Sequence, residues 1–234
     1  MMEGKKLPYK TVLAYIESTG TQYVDTGLNS TTDGFCDFEI RFAKNVPNPA
    51  ASRHMPFGFS YGATARYGMW AGSDVLTSRA GINSSVFATF ANDNHWHTVK
   101  VINGQDIDID GTSTPISSGS VRVNIGLFLF ATITSRYEAT SHNVIPSKIA
   151  YCKIYNTNGE LIRDYIPVLN WDDEACMYDN VSNTLFYNAG TGAFLTPETN
   201  GGGYKLTCTR RSYRRSWRPS ARFWCTSRRW EVAA

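Results

Sequence analysis

The stretch HTVKVINGQDIDIDG, residues 97–111, alternates apolar and polar side chains on either side of an Asn-Gly pair. Val99 and Val101 fall on one face of a first strand, Ile107 and Ile109 on one face of a second, and Asn103-Gly104 joins them. A period of two residues marks a strand half-buried against a core, because successive side chains point to opposite faces of a sheet. Asn-Gly between two such runs is the strongest short-range signal for a β-hairpin, since both residues tolerate the positive φ of a tight turn. Antiparallel β structure follows from these residues alone.

The same period extends in both directions. FCDFEIRF (35–42) puts Cys36, Phe38, Ile40 and Phe42 on one face and Asp37, Glu39 and Arg41 on the other. YIESTGTQYVDTG (15–27) alternates as well, broken by Gly20, a residue that in a strand marks a bulge or a close backbone approach. After the Gly/Ser/Pro break GTSTPISSGS (111–120), VRVNIGLFLF (121–130) is apolar at nearly every position beyond Ile125, which suits a strand buried on both sides. KIAYCKIY (148–155) and ELIRDYIPV (160–168) flank turn residues Asn156 to Gly159, and ACMYDNVSNTLFYNAG (175–190) repeats strand, turn, strand. No 12-residue stretch sustains a 3.6-residue period. Strands at intervals of roughly 8 to 12 residues predict an antiparallel sandwich or barrel.

A chain of 234 residues is long enough for one sizeable core, and 42% hydrophobic with 18% charged residues is the composition of a globular protein. Its formal charge of +3 conceals two opposed parts. Residues 205–234 hold nine Lys/Arg against the single acid Glu231, leaving 14 basic and 19 acidic side chains in residues 1–204, a net of −5. The five cysteines, Cys36, Cys152, Cys176, Cys208 and Cys225, show neither CxxC spacing nor a Cys/His cluster, so neither a zinc module nor a dense disulfide framework is expected. MMEGKKLPYKTVLAYIE lacks an apolar signal-peptide core, and no run of 18 apolar residues occurs. The expectation is a chain with neither signal peptide nor membrane span.

Taken in order, YIESTGTQYVDTG, HWHTVKVINGQDIDIDG (95–111), KIYNTNGELIRDYIPV (153–168) and LFYNAGTGAF (185–194) resemble laminin-G-like, concanavalin A-like lectin and glucanase jelly rolls of phage virion proteins and gut-bacterial surface proteins. The likeness covers about residues 12–197. It implies an all-β, two-sheet antiparallel jelly-roll β-sandwich, a packing role for Trp96, and an opening motif that neighbours YNAGTGAF to close the sandwich. Residues 1–11 are then an N-terminal extension and 198–234 a basic tail, disordered or non-native. Members of that family bind glycans or proteins, act as spacers or decorations, or cleave polysaccharides, so function has to be argued from a site.

DIDID is the enzyme-like signal, because Asp106, Asp108 and Asp110 at alternate positions would share one strand face at about 6.5 to 7 Å per step. Retaining glycosidases need two carboxyl groups about 5 to 5.5 Å apart. The glucanase motif has Glu at both ends, and Asp110 precedes Gly111 in a turn, so no catalytic residue is assigned. His95 and His97 flank Trp96, but His54 and His142 lie outside ligand spacing; a solvated face is expected there, and no metal site. No cofactor is assigned, calcium through Asp110, Asp172 or Asp179 remaining the alternative. A Gly-x-Ser-x-Gly elbow is absent, and the GTG of residues 190–192 lacks the Lys and helix of a phosphate loop. Sequons at Asn29, Asn83 and Asn180 are read as coincidental.

A sugar presents an apolar C–H face and a ring of hydroxyls, which together call for an exposed aromatic beside amides and carboxylates. LNWDDEA supplies these as Asn170, Trp171, Asp172 and Asp173 in a loop between strands. Tyr61, Tyr67 and Trp70 in SYGATARYGMW are the second candidate group. The tail interleaves arginines with Tyr213, Trp224 and Trp230, as a nucleic-acid or anionic-membrane contact would. Yet three of six tryptophans and two of five cysteines fall there without periodicity just after NGGG, a composition that out-of-frame translation produces. The leading expectation is a non-enzymatic adhesion domain of a phage virion or bacterial surface protein, binding a surface or capsular glycan and possessing no nucleic-acid partner. A glucanase-type hydrolase and a purely structural decoration or oligomerisation domain are the alternatives.

Overall fold

A strand with one apolar face must bury that face, so strands of this kind pair edge to edge and stack in layers. The computed structural model describes residues 7–29, 35–44, 56–61, 65–71, 77–82, 88–91, 95–119, 124–133, 142–144 and 146–197. Expectations for the tail, for His54 and for the Asn83 sequon lie outside the described residues. Among these residues every regular element is a strand. In chain order they are β1 (Tyr9–Val12), β2 (Ile16–Ser18), β3 (Val24–Asn29), β4 (Phe35–Lys44), β5 (Phe57–Tyr61), β6 (Ala65–Ala71), β7 (Thr77–Ile82), β8 (Ala88–Ala91) and β9 (Trp96–Ile102). Then follow β10 (Asp106–Ile109), β11 (Thr112–Pro115), β12 (Gly126–Leu129), β13 (Ala131–Ile133), β14 (His142–Val144), β15 (Ser147–Asn156), β16 (Leu161–Asn170), β17 (Ala175–Asp179) and β18 (Thr184–Phe186).

Two antiparallel sheets share one core, as in a β-sandwich. The larger has the order β11-β10-β9-β4-β15-β16-β17-β18, with β1 added on β16 and β2 on β15; the smaller runs β3-β12-β5-β6-β7-β8. β1 begins at Tyr9, so the segment expected as an extension contributes a strand of the large sheet. Phe38, Ile40, Phe42, Val99, Val101, Ile149, Cys152 and Tyr165 of the large sheet meet Phe57, Phe59, Tyr67, Met69, Leu127 and Leu129 of the small one, all fully buried. Each such side chain contributes about 1.5 to 3 kcal/mol through removal of apolar surface from water.

Two local features depart from simple alternation. In β15 the pairing with β4 skips Ala150, so Ile149 opposes Phe42 and Tyr151 opposes Arg41; this extra residue is a bulge that returns Cys152 and Ile154 to the core face. The hairpin between β9 and β10 closes through three residues, Asn103, Gly104 and Gln105, rather than Asn-Gly alone, with Gly104 at φ 75°. The tight two-residue turn comes one strand later, where Asp110 (φ 54°) and Gly111 (φ 85°) join β10 to β11.

Residues 15–27 divide between the sheets: β2 belongs to the large one and β3 to the small one. Gly20, at φ 106°, lets the chain cross between them. Gln22, buried, stabilises the crossing: its Oε1 accepts the Thr19 N–H (2.8 Å) and its Nε2 donates to the Thr191 carbonyl (3.1 Å). The Ala189 and Thr191 N–H groups donate to the carbonyls of Tyr23 and Thr21, while Glu17 and Leu195 exchange a reciprocal pair at 2.9 Å. YNAGTGAF therefore lies against the opening motif, and Gly190 is required because a Cβ there would sit 2.0 Å from the Thr21 carbonyl oxygen.

Candidate functional site

The β16–β17 connection is built from Asn170 outward. Its buried side chain accepts the N–H groups of Asp172 (2.9 Å) and Glu174 (2.8 Å) through Oδ1, while its own N–H donates to the Glu174 carbonyl at 2.9 Å. Asn, favoured in turns because its side chain imitates a backbone acceptor, is thereby committed to shaping the loop. The result projects Trp171, Asp172, Asp173 and Glu174 into solvent. Trp171 is 51% exposed, and its Nε1–H donates to the Leu7 carbonyl at 3.1 Å. That bond fixes the indole while leaving ring surface available. Asp173 pairs with Lys10 of β1, and Asp172, next to Trp171 in sequence, is exposed. Of the four residues singled out, Trp171, Asp172 and Asp173 form a surface group, and Asn170 supports it from below.

The second candidate group divides. Tyr67 is fully buried, its ring 5.3 Å from Phe38, 5.7 Å from Phe57 and 6.1 Å from Phe59, so it fills the core. Tyr61 and Trp70 lie on β5 and β6, with their side chains outside the described residues.

Of the DIDID carboxylates, Asp106 and Asp108 share the face of β10 opposite the buried Ile107, and Asp110 does not. Asp106 accepts the Ser113 hydroxyl at 2.5 Å, and Asp108 accepts the Gly111 N–H at 3.0 Å. Asp110 leaves the strand in its turn and folds back, accepting the Thr98 N–H at 2.8 Å and lying 2.7 Å from His97 Nδ1. The expectation of a solvated His95/His97 face holds for His95 alone. His97 is buried on the core face with Val99 and Val101, 6.0 Å from the Phe42 ring, because β9 presents its odd-numbered residues inward.

Asp110, Asp172 and Asp179, each a candidate calcium ligand, lie apart from one another. Asp172 and Asp179 lie beyond and at opposite ends of β17, and Asp110 is five strands away, about 24 Å at the usual interstrand spacing. Asp179, fully buried, accepts the N–H groups of Asp164, Val181 and Ser182 and the Ser182 hydroxyl, and lies 3.7 Å from Arg163 Nε, so its oxygens are engaged by the chain itself. Among the described residues no three His, Cys, Asp or Glu side chains group as metal ligands. Cys152 and Cys176 are free and buried. Burial pushes the Cys152 thiol up and the Cys176 thiol to about 12, so neither is primed as a nucleophile.

One surface group was not anticipated. Tyr15 and Trp96 have ring centroids 5.6 Å apart on the outer face of the large sheet, with Arg41 5.7 Å from the Trp96 ring and Lys148 5.1 Å from that of Tyr15. Alternation puts Glu39, Arg41 and Thr98 outward, which was the available signal; that Tyr15 reaches Trp96 depends on strand order. Beside them runs a row of alternating sign, Asp108, Lys100, Glu39, Lys153 and Asp164, each opposite the next across β10, β9, β4, β15 and β16. Tyr151 donates to Glu39 at 2.8 Å, and burial with this bond pushes its phenol up to about 12. No family model, no curated protein and no solved structure matches the chain.

Proposed function

We propose that the protein is a non-enzymatic recognition domain, a jelly-roll sandwich of the laminin-G-like kind from a phage virion or bacterial surface protein, which binds a surface or capsular glycan at the β16–β17 turn. The observation that carries this reading is the half-exposed Trp171 indole, held through Nε1 by the Leu7 carbonyl and flanked by Asp172 and Asp173. An immobilised aromatic ring accepts the C–H face of a pyranose at little cost in side-chain entropy, and adjacent carboxylates accept its hydroxyls. The hydrolase alternative lacks comparable support, since Asp106 and Asp108 already hold donors of their own hairpin.

A second reading, docking onto another virion or surface protein, draws on the exposed Leu7 (53%), which precedes β1, and Val12 (46%), which ends it. A bacterial glycan array separates the two. Specific hits that weaken about tenfold or more in Trp171→Ala, in line with loss of one aromatic anchor, are expected for glycan recognition. An array without hits, combined with a wild-type oligomer that dissociates in Val12→Glu, would replace that reading with the docking one.

A further inference from the structure

We propose a second ligand site on the outer face of the large sheet, around Tyr15, Trp96, Arg41 and Lys148, specific for a saccharide bearing a carboxylate. Strand register assembles it. Ala43 of β4 lies opposite Trp96 of β9 on one side and Lys148 of β15 on the other, and Lys148 in turn opposes Glu17 of β2. Because Ala43 is small, the Tyr15 ring fits above this row, in contact distance of Trp96 and Lys148. Both rings remain partly exposed. The adjacent row, Thr98, Arg41 and Tyr151, places Arg41 beside Trp96.

The charges at this cluster are unevenly matched. Arg41 is exposed, donates to the Thr98 hydroxyl at 3.1 Å, and forms no ion pair among the described residues. The acid beside it on the same strand face, Glu39, is engaged by the Tyr151 hydroxyl. Lys148 lies 3.6 Å from Glu17, a carboxylate buried at the sandwich seam. A guanidinium that rests against an indole and is anchored by one hydroxyl keeps its other N–H donors aligned for a planar carboxylate. A cross-strand diagonal separates the α-carbons of Arg41 and Lys148 by about 7 to 8 Å, a span comparable to one sugar ring. An aldouronic acid supplies a carboxylate partner for Arg41, with Lys148 beside it, and a C–H face for the rings. A neutral sugar would cover Arg41 without pairing it, at a desolvation cost. A polyphosphate chain is disfavoured by the net −5 of residues 1–204.

The test is isothermal titration of the full chain with aldotetraouronic acid and with its carboxyl-reduced analogue. Saturable binding of the acid, at least about tenfold weaker for the reduced sugar and for both Arg41→Gln and Lys148→Gln, is expected. Trp96→Phe should abolish the ligand-induced change in tryptophan emission. Equal binding of the two sugars, no binding of the acid, or unchanged affinity in both cation variants would overturn the proposal. The site is independent of Trp171, so Trp171→Ala should bind the acid as wild type does. If Trp171→Ala alone loses the acid, the ligand belongs to the β16–β17 turn and this proposal fails while glycan recognition there stands.

Discussion

At the scale of single residues, two turns with little sequence in common prove to be one structure. NTNGE (156–160) and NWDDE (170–174) use the same four bonds: the first Asn accepts the N–H groups of the third and fifth residues, and its N–H and carbonyl pair with the fifth and fourth. The fourth residue is left-handed in both, Gly159 at φ 77° and Asp173 at φ 61°. A non-glycine residue costs about 1 to 2 kcal/mol in that conformation. Asn156→Ala and Asn170→Ala should each lower stability by about 0.5 to 1.5 kcal/mol in urea unfolding, because two turn N–H groups lose their acceptor. Gly159→Ala should cost about 1 kcal/mol, whereas Asp173→Gly should be close to neutral, relief of strain offsetting a more flexible unfolded chain and the lost Lys10 pair. Trp171 was legible from its setting among polar loop residues. The supporting role of Asn170 was not, because composition does not reveal whether an amide faces solvent or its own backbone.

Among elements, alternation identified nearly every strand that forms the core of the large sheet, since the inward set of Phe38, Ile40, Phe42, Val99 and Val101 is a direct record of burial. What alternation could not supply was the phase of each strand after an irregularity. The bulge at Ala150 and the third loop residue Gln105 shift pairing by one position without altering composition, and the inward side of Tyr67 is set by the strands beside it. β5 and β6 carry the most demanding irregularity. Gly58 and Gly68 face each other at φ 115° and 105°, and a Cβ on Gly68 would lie 2.3 Å from the Phe57 carbonyl oxygen. Gly68→Ala is expected to lower stability by about 3 kcal/mol or more, combining backbone strain with a backbone clash. A thermal melt within a few degrees of wild type would contradict that pairing.

For the whole molecule, several proton-bearing groups are buried in their neutral form, and their effects add. Burial raises the Tyr165 phenol and the Cys152 thiol, takes the Cys176 thiol from 9.0 to about 12, and, with the Glu39 hydrogen bond, takes Tyr151 from 10.0 to about 12. Each such group ionises more readily when unfolded, so its contribution is complete below its unfolded pKa and is lost as pH rises through the folded one. Stability should therefore decline from about pH 9 to 12, read as a falling melting temperature, with Tyr151→Phe flattening the portion above pH 10. A melting temperature constant over that range would show that these groups titrate alike in both states.

The pairing of Glu17 with Leu195 also bears on how the chain reaches this structure. Contacts so distant in sequence form only after a long loop has closed, which is entropically costly and slow. β2 and β15 can pair as soon as residue 149 is available, yet the bonds from residues 189, 191 and 195 to residues 23, 21 and 17 must wait for the segment that follows β18. During synthesis the two layers consequently stay unlatched along this edge until residue 195 has been made, and the seam at residues 17–23 closes late.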